Sequence, residues 1–471
     1  QLLITQGKVI FTRDCTKALE SMEKGNKKAL KSVKKKQVHY IAKLADMVRG
    51  QLTKIDRKKV VALITMEIHS RDVEERMIKQ GASHPEDFLW LSQLRFYYNK
   101  DSGEEGFGEV GARQTNTIQI FGYEYQGNNG RLVVTALTDR CIVTLTTALY
   151  LQRGGSPLGP AGTGKTETVK DLGKNLAKYV VVFNCSDSMD YRSVGRMFSG
   201  LVQTGGWGCF DEFNRIQIEV LSVIGQQVMS IMMAIRARKT EFSFMGVMIA
   251  CNWNCGIFIT MNPGYAGRTE LPDSLKAMFR PCAMMVPDMG QIAEVMLAAQ
   301  GFNDARSLGK RATTLYDLMT QQLSKQDHYD FGLRAIASVL ACAGALKRED
   351  GAVSEDLILL RALRDMNVPK FIKADTHLFL LLLGDLFPGL ELPVTDYGAM
   401  QVALERELDR MGLQKHPVII KKAIQLYETQ VTRHCNMLVG FTLGGKSTTW
   451  RLLAAARIAL NKEDKLKQYL P

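Results

Sequence analysis

At 471 residues the chain is too long for one ordinary hydrophobic core, and it is expected to fold as two to four domains. An apolar fraction of 46% with 23% charged residues excludes a largely disordered chain, and the longest apolar run, Leu378 to Leu383, is far short of the roughly 20 residues of a membrane helix. The net charge of +13 is concentrated in residues 1–60, where sixteen Lys/Arg face five Asp/Glu. That stretch reads as a solvated helical face. Lys34-Lys35-Lys36 and Arg57-Lys58-Lys59 have no interleaved aromatics and match no nucleic-acid motif, so neither nucleic acid nor a membrane is expected as a partner. Nine cysteines form no CxxC pattern, and no histidine lies near Cys251 and Cys255, which points to reduced thiols rather than zinc. The chain opens on Gln1 with no charged-then-apolar leader and reads as an internal piece of a larger protein, without a signal peptide.

In chain order, residues 17–100 read as helical, with Val38, Ile41, Leu44, Ala45 and Val48 at three- and four-residue spacing. His84-Pro85-Glu86-Asp87 predicts the start of a helix carrying Phe88, Leu91, Leu94 and Arg95. Residues 101–108 read as a loop rich in glycine and charge, residues 116–125 as a strand, and Asn128-Asn129-Gly130 as a turn. From 131 to about 290, strands and helices alternate. Val180 to Phe183 and Ile257 to Met261 suit buried parallel strands, and Ile218 to Ala237 suits a helix between them. This alternation predicts an α/β fold with a parallel sheet covered by helices. From about 291 to 390 only helical periodicity remains, ending near Pro388-Gly389. Residues 396–450 open a new helix-then-strand unit.

Gly159-Pro160-Ala161-Gly162-Thr163-Gly164-Lys165-Thr166 fits a phosphate-binding loop in full. Its glycines let backbone N–H groups cradle phosphate oxygens, and the helix after it, Glu167 to about Lys178, points its positive end at the same place. Lys165 is expected near the β- and γ-phosphates of ATP, and the Thr166 hydroxyl on Mg²⁺. Gly154 to Leu158 before the loop has poor strand composition. In Trp207-Gly208-Cys209-Phe210-Asp211-Glu212, Asp211 is placed to hold the metal through water, and Glu212 to orient and deprotonate the attacking water. Asn262, after the strand ending at Met261, can hold the water or the γ-phosphate, and Asn262-Pro263-Gly264 is also a turn. Arg334 lies on a helix in the all-helical region, from which an arginine could reach the phosphates. A second loop pattern, Gly440-Phe441-Thr442-Leu443-Gly444-Gly445-Lys446-Ser447, follows about 280 residues after the first, behind the better strand signal Met437-Leu438-Val439. No acidic strand end follows it, so no hydrolysis is expected there.

These strings together resemble one family. Gly159 to Thr168, Val181 to Ser186, Cys209 to Arg215, Ile259 to Arg268, Leu271 to Pro281 and Tyr329 to Ile336 look like the first AAA+ module of a dynein heavy chain, while Leu52 to Ala62 and Phe88 to Arg95 resemble the end of the dynein linker. Thr168 to Ser188 and Ile216 to Gln227 look more like axonemal than cytoplasmic dyneins. The resemblance implies a helical linker segment over 1–115, a large α/β ATP-binding subdomain over 116–290, a small helical subdomain over 291–392, and the start of a second module over 393–471. It implies ATP and Mg²⁺ as cofactors. Thr166 and Asp211 would serve the metal, Glu212 would be the base, Asn262 sensor I and Arg334 sensor II. Leu137 and Thr138 would lie near adenine, with Gly159 to Glu167 around the phosphates, and Ala136 stands where proline is usual. Arg280 would face a neighbouring module. The arginine finger for this site would come from beyond Pro471, so the fragment alone should be a poor ATPase.

The implied activity is ATP hydrolysis that swings the linker for minus-end-directed microtubule motility, in ciliary or flagellar beating. The implied partners are the remaining AAA+ modules, microtubules through a stalk, intermediate and light chains, and other heavy chains. The implied location is the cytoplasm and cytoskeleton, in the axoneme. The second loop would bind nucleotide without turnover. The alternatives are a tandem AAA+ remodelling ATPase, which would lack the linker helices, and a nucleotide-locked structural arm, against which Lys165 and Glu212 both stand.

Overall fold

Helices open the chain where caps and apolar spacing agree. In the computed structural model, which describes residues 1–101, 108–263, 271–349, 353–390, 397–432 and 435–462, these are α1 (Leu2–Glu23), α2 (Ala29–Arg49), α3 (Lys54–Gln80) and α4 (Phe88–Leu91). The Thr53 side chain caps α3 by accepting from the Asp56 N–H, and Gly81 ends it in the left-handed region. Cys15, Leu19, Leu30, Val73, Met77 and Trp90 form the core among these helices. Lys31, Lys35 and Lys36 on α2 are exposed, as expected of a solvated face.

The helix expected over Phe88 to Arg95 stops at Leu91. Arg95 instead begins β1 (Arg95–Asn99), which pairs antiparallel with β2 (Glu109–Gln114), itself paired with β3 (Thr117–Ile120). The strand wins because it buries Phe96 against Leu145, Leu172 and Trp207, a gain that local helical periodicity cannot show. Most of the glycine-rich loop expected over 101–108 lies outside the described residues.

The α/β layer continues with α5 (Ala136–Tyr150), β4 (Gly154–Leu158), α6 (Lys165–Asn175), β5 (Val180–Asn184), α7 (Tyr191–Thr204), β6 (Trp207–Asp211) and α8 (Ile218–Arg236). The hairpin β7 (Glu241–Phe244) and β8 (Val247–Ala250) comes next, then β9 (Gly256–Ile259), α9 (Asp273–Lys276), β10 (Phe279–Ala283) and α10 (Met289–Ala299). Five strands form a parallel sheet in the order β10-β4-β9-β6-β5. Successive residues of β6 alternate between its faces. Trp207 and Cys209 join Leu145 of α5 and Leu172 of α6, whereas Phe210 joins Val194 and Phe198 of α7 and Ile224 of α8. The sheet is thus sandwiched between helices, the α/β architecture read from the sequence.

The weak composition of β4 has a packing cause. A Cβ on Gly154 would lie 2.3 Å from a ring carbon of Phe279, and one on Gly155 would lie 2.6 Å from the Leu145 side chain. The glycines let β10, β9 and α5 close in on the strand that carries the phosphate loop. α8 is 19 residues long and apolar enough to cross a bilayer by length and composition, with mean hydropathy 1.6. Its Leu221, Ile224, Val228 and Ile231 are spent on the sheet core. α10 packs on α2 and α3, where Val295 and Ala299 meet Leu44, Val48, Ile64 and Ile68.

The chain divides into two units, Gln1–Gly301 and Phe302–Pro471. The second is helical among the described residues: α11 (Ala305–Gln322), α12 (Leu333–Glu349), α13 (Glu355–Asn367), α14 (Lys373–Leu386), α15 (Gly398–Arg410), α16 (Pro417–Thr432) and α17 (Lys446–Lys462). Met400, Leu404, Ala423, Leu452 and Ala456 make a separate core for α15 to α17. Contrary to expectation, Met437-Leu438-Val439 is not a strand, and Met437 is 84% exposed. A strand needs a neighbour for its N–H and C=O groups, and no strand is present in this unit among the described residues.

Candidate active site

The loop after β4 curls over the N-terminus of α6. Gly162 and Gly164 take φ of +78° and +80°, which turns successive backbone N–H groups toward one concavity. Lys165, 7% exposed, donates from Nζ to the carbonyls of Gly159 at 2.8 Å and Pro160 at 2.6 Å, which closes the loop into a ring. Thr163 Oγ1 donates to Pro160 O at 3.0 Å. Ala161 is exposed, and Glu167 on the first turn of α6 pairs with Lys170 at the surface.

The carboxylates come from β6, two strands from β4 with β9 between. Thr166 Oγ1 donates to Asp211 Oδ1 at 2.8 Å, so the residues expected to serve one metal are in contact. Thr260 Oγ1 also bonds Asp211 Oδ1, and it accepts the Glu212 N–H at 3.1 Å. Glu212 sits in the left-handed region at φ +55°, an unfavourable conformation for a side-chain-bearing residue. It is held there by the Thr260 contact, by Phe213 N donating to Thr260 O at 3.0 Å, and by the 3-10 turn Phe213–Arg215. Its side chain is gripped twice. Asn262 Nδ2 donates to Oε1 at 3.3 Å, and Arg215 pairs with Oε2. The two carboxylates and burial push the Cys185 thiol up to about 12, burial being the larger cause.

The residues present fit magnesium and a nucleotide. Thr166 and Asp211 offer the hard oxygen donors that Mg²⁺ selects. Asn262 is 6% exposed, and its Oδ1 is buried with no hydrogen-bond partner, a waiting acceptor beside Glu212. The resulting set can bind an anion, hold a divalent cation, and present a carboxylate base to a water.

A sequence family described as the hydrolytic ATP binding site of dynein motor region matches residues 121–447. The chain belongs to this family. It is similar to dynein axonemal heavy chain 2 of Homo sapiens, 54% identical over 461 residues, covering 98% of this chain and 10% of that protein. It is also similar to the dynein-1-beta heavy chain of the flagellar inner arm I1 complex of Chlamydomonas reinhardtii, at 52% over 465 residues with the same two shares, 98% and 10%. Human dynein axonemal heavy chain 9 is 49% identical over 453 residues, covering 96% of this chain and 10% of its own. The chain thus spans about a tenth of the length of these relatives. The dynein resemblance and the AAA+ fold expected from the sequence both hold, and the family is that of an ATPase.

Other residues around this dynein-type site were not read from the sequence. Thr260 was hidden as one hydroxyl inside the apolar run Ile257 to Met261, which was itself the available signal. Arg215 carried a signal in its spacing, three residues after Glu212. Arg131 left no local sign. It forms a buried pair with Asp171 on α6, Nε to Oδ1 at 3.0 Å and Nη2 to Oδ2 at 3.1 Å, and it also bonds Asn175. Lys8 of α1 reaches Asn175 too, and burial drives its pKa well down. The far end of the loop's helix is therefore locked to the segment before α5 and to α1.

Leu137 and Thr138 lie on the first turn of α5, where Thr135 and Thr138 make a reciprocal cap. The next residue, Asp139, pairs with Arg76 at 2.7 Å and His69 at 3.5 Å on α3. Ala136 occupies the first helical position, the one where proline is pre-organised. Arg280 is exposed on β10. Arg334 is exposed on the first turn of α12, in the second unit. Gly264 of the expected turn lies outside the described residues. The second loop, Gly440 to Ser447, is in place before α17, with Phe441 93% and Leu443 99% exposed.

Proposed function

We propose that this chain is the ATP-hydrolysing motor module of a dynein heavy chain, turning nucleotide binding and hydrolysis into linker movement for minus-end-directed motility on microtubules in the axoneme of a cilium or flagellum. The observation that carries the reading is the contact of Thr166 with Asp211 beside a Glu212 oriented by Asn262. Residues 159–167 bind the phosphates of ATP, with Lys165 leaving its loop carbonyls for the β- and γ-oxygens. Leu137 and Thr138 flank the base. Thr166 and Asp211 would hold Mg²⁺. Such an ion would supply positive charge against the phosphoryl group.

Glu212 takes the proton of the attacking water, and Asn262 fixes that water. Arg334 on α12 is assigned as sensor II. The boundaries 1–115, 116–290, 291–392 and 393–471 separate linker, large subdomain, small subdomain and second module. Residues 440–447 hold a nucleotide without turning it over. The names of the axonemal and flagellar relatives support the location, and membership of a dynein motor family supports other dynein subunits as partners and microtubules as the track.

The test is Glu212→Gln in the complete motor. Microtubule-stimulated ATP turnover should fall about 10²-fold or more, the scale of a lost general base. Unchanged turnover would overturn the site assignment.

A further inference from the structure

Two thiols that the hydrolytic site does not use meet behind its phosphate loop. Cys141 of α5 and Cys282 of β10 are both buried and pack with Met284 in a cluster of their own. Each thiol shifts the other's titration. Cys282 lies in register with Pro157 of β4, and two residues on, Met284 N donates to Leu158 O at 2.6 Å. Cys141 is one helical turn beyond Leu137 and Thr138 on the same helix. The pair therefore bridges the helix assigned to the base and the strand beside the phosphate loop.

The two thiols differ in character. The Cys282 thiol is held below its ordinary pKa, chiefly by its hydrogen bond with Cys141, with the Thr144 hydroxyl and the Arg140 guanidinium adding to it against the effect of burial. Its partner Cys141 is pushed far up by the same bond and by burial. At Cys15, Cys185, Cys209, Cys251 and Cys255 burial drives the thiol pKa up, which leaves those sulfurs inert.

We propose that Cys141 and Cys282 form a peroxide-sensitive dithiol that closes to a disulfide and fastens α5 to β10 behind the phosphate loop. The Cys282 thiolate attacks hydrogen peroxide, an oxidant small enough to reach a nearly closed site. The O–O bond breaks, hydroxide leaves, and Cys282 becomes a sulfenic acid. The Cys141 sulfur then displaces the sulfenic oxygen, which leaves as water with the Cys141 proton. In sum, two thiols and one peroxide give one disulfide and two waters. The sulfurs are oxidised and the peroxide is reduced. The bridge joins two elements otherwise held together by side-chain packing, so it slows any step in which the base side and the phosphate side of the site shift relative to one another. That last consequence rests on the hydrolytic reading, whereas formation of the bond does not.

The experiment uses the full-length heavy chain that carries this segment, treated with hydrogen peroxide and then with dithiothreitol. Peptide mass spectrometry should show the Cys141 and Cys282 peptides linked and two hydrogens lighter. ATP turnover should drop at least about three-fold and recover on reduction. Cys282→Ser should abolish both effects. Cys141→Ser should stop the reaction at a sulfenic acid on Cys282 that dimedone traps. Two free thiols under peroxide that oxidises the exposed Cys435 would overturn the site. A disulfide formed with no change in turnover would overturn the regulatory role while leaving the assignment of Glu212 to its own test.

Discussion

The two phosphate loops share a local structure and differ in nearly everything around it. In both, a lysine folds onto the carbonyls of the first two loop residues: Lys165 at 2.8 and 2.6 Å, and Lys446 at 2.8 and 2.6 Å. In both, a threonine on the first turn of the helix bonds the carbonyl of the glycine before that lysine, at 2.9 Å. The first loop, however, leaves a strand set between two others, and faces Asp211 and Glu212 from a third. The second leaves an extended segment with no strand partner among the described residues, and its Phe441 and Leu443 are almost fully exposed. An eight-residue pattern thus specifies a loop. A sheet that brings in distant carboxylates is what makes the loop part of an enzyme.

The sharpest way to break this comparison is to remove each lysine in the complete motor. Lys165→Ala should cut ATP turnover by about 10²-fold or more, whereas Lys446→Ala should change it by less than about three-fold. Equal losses in a turnover assay would show that the second loop is as catalytic as the first.

The next largest effect tests what anchors the first loop's helix. Arg131→Met leaves Asp171 buried without its partner, at side-chain exposures of 5% and 4% for the pair. This should destabilise the first unit by about 3–5 kcal/mol, read as a lowered urea midpoint, with α6 amides exchanging faster. A neutral result would mean that α6 is held by apolar packing alone.

A pH series reads a buried carboxyl of the first unit. Burial pushes Glu74 on α3 up to about 8 from an ordinary 4.5. Between those values the folded chain holds a proton that the unfolded chain has released. The associated stability is complete below about 4.5 and is lost as pH rises toward 8, at up to about 1.4 kcal/mol per unit. Hydrogen exchange in α1 and α3 should show this slope, and Glu74→Gln should reduce it, leaving the part that the buried Glu67 carboxyl of the same helix carries.

The smallest effect lies in the second loop itself. Leu443 takes φ +66° where the first loop has Gly162 at +78°. Leu443→Gly should relieve that conformation and stabilise the start of α17 by about 0.5–1 kcal/mol, while Gly162→Ala should cost about 1 kcal/mol in the first loop. Thermal melts of the two variants would check both signs.

Much of the first site was legible because its parts are local. A phosphate loop is eight consecutive residues, and a strand that ends in Asp211-Glu212 shows itself by composition. The parallel strands within Val180 to Phe183 and Ile257 to Met261 stood out as short apolar runs. Three features were misread or missed for one reason, which is that each depends on a distant neighbour. Phe96 is drawn into a strand by Leu145 and Trp207. Gly154 and Gly155 look like poor strand residues until Phe279 and Leu145 are seen beside them. Met437 to Val439 look like a strand until no partner is found.

By itself, then, the sequence determined the dynein family, the α/β alternation, and the local shape of both loops, since backbone conformation over a few residues follows from glycine, hydroxyl and lysine placement. Only the tertiary structure decided which loop meets the Asp211 carboxylate, that Thr260 and Arg215 hold the acidic pair, that Arg131 pins α6, and that Cys141 meets Cys282. Those contacts join residues far apart in the chain, and their energy comes from burial and pairing that no window of sequence contains.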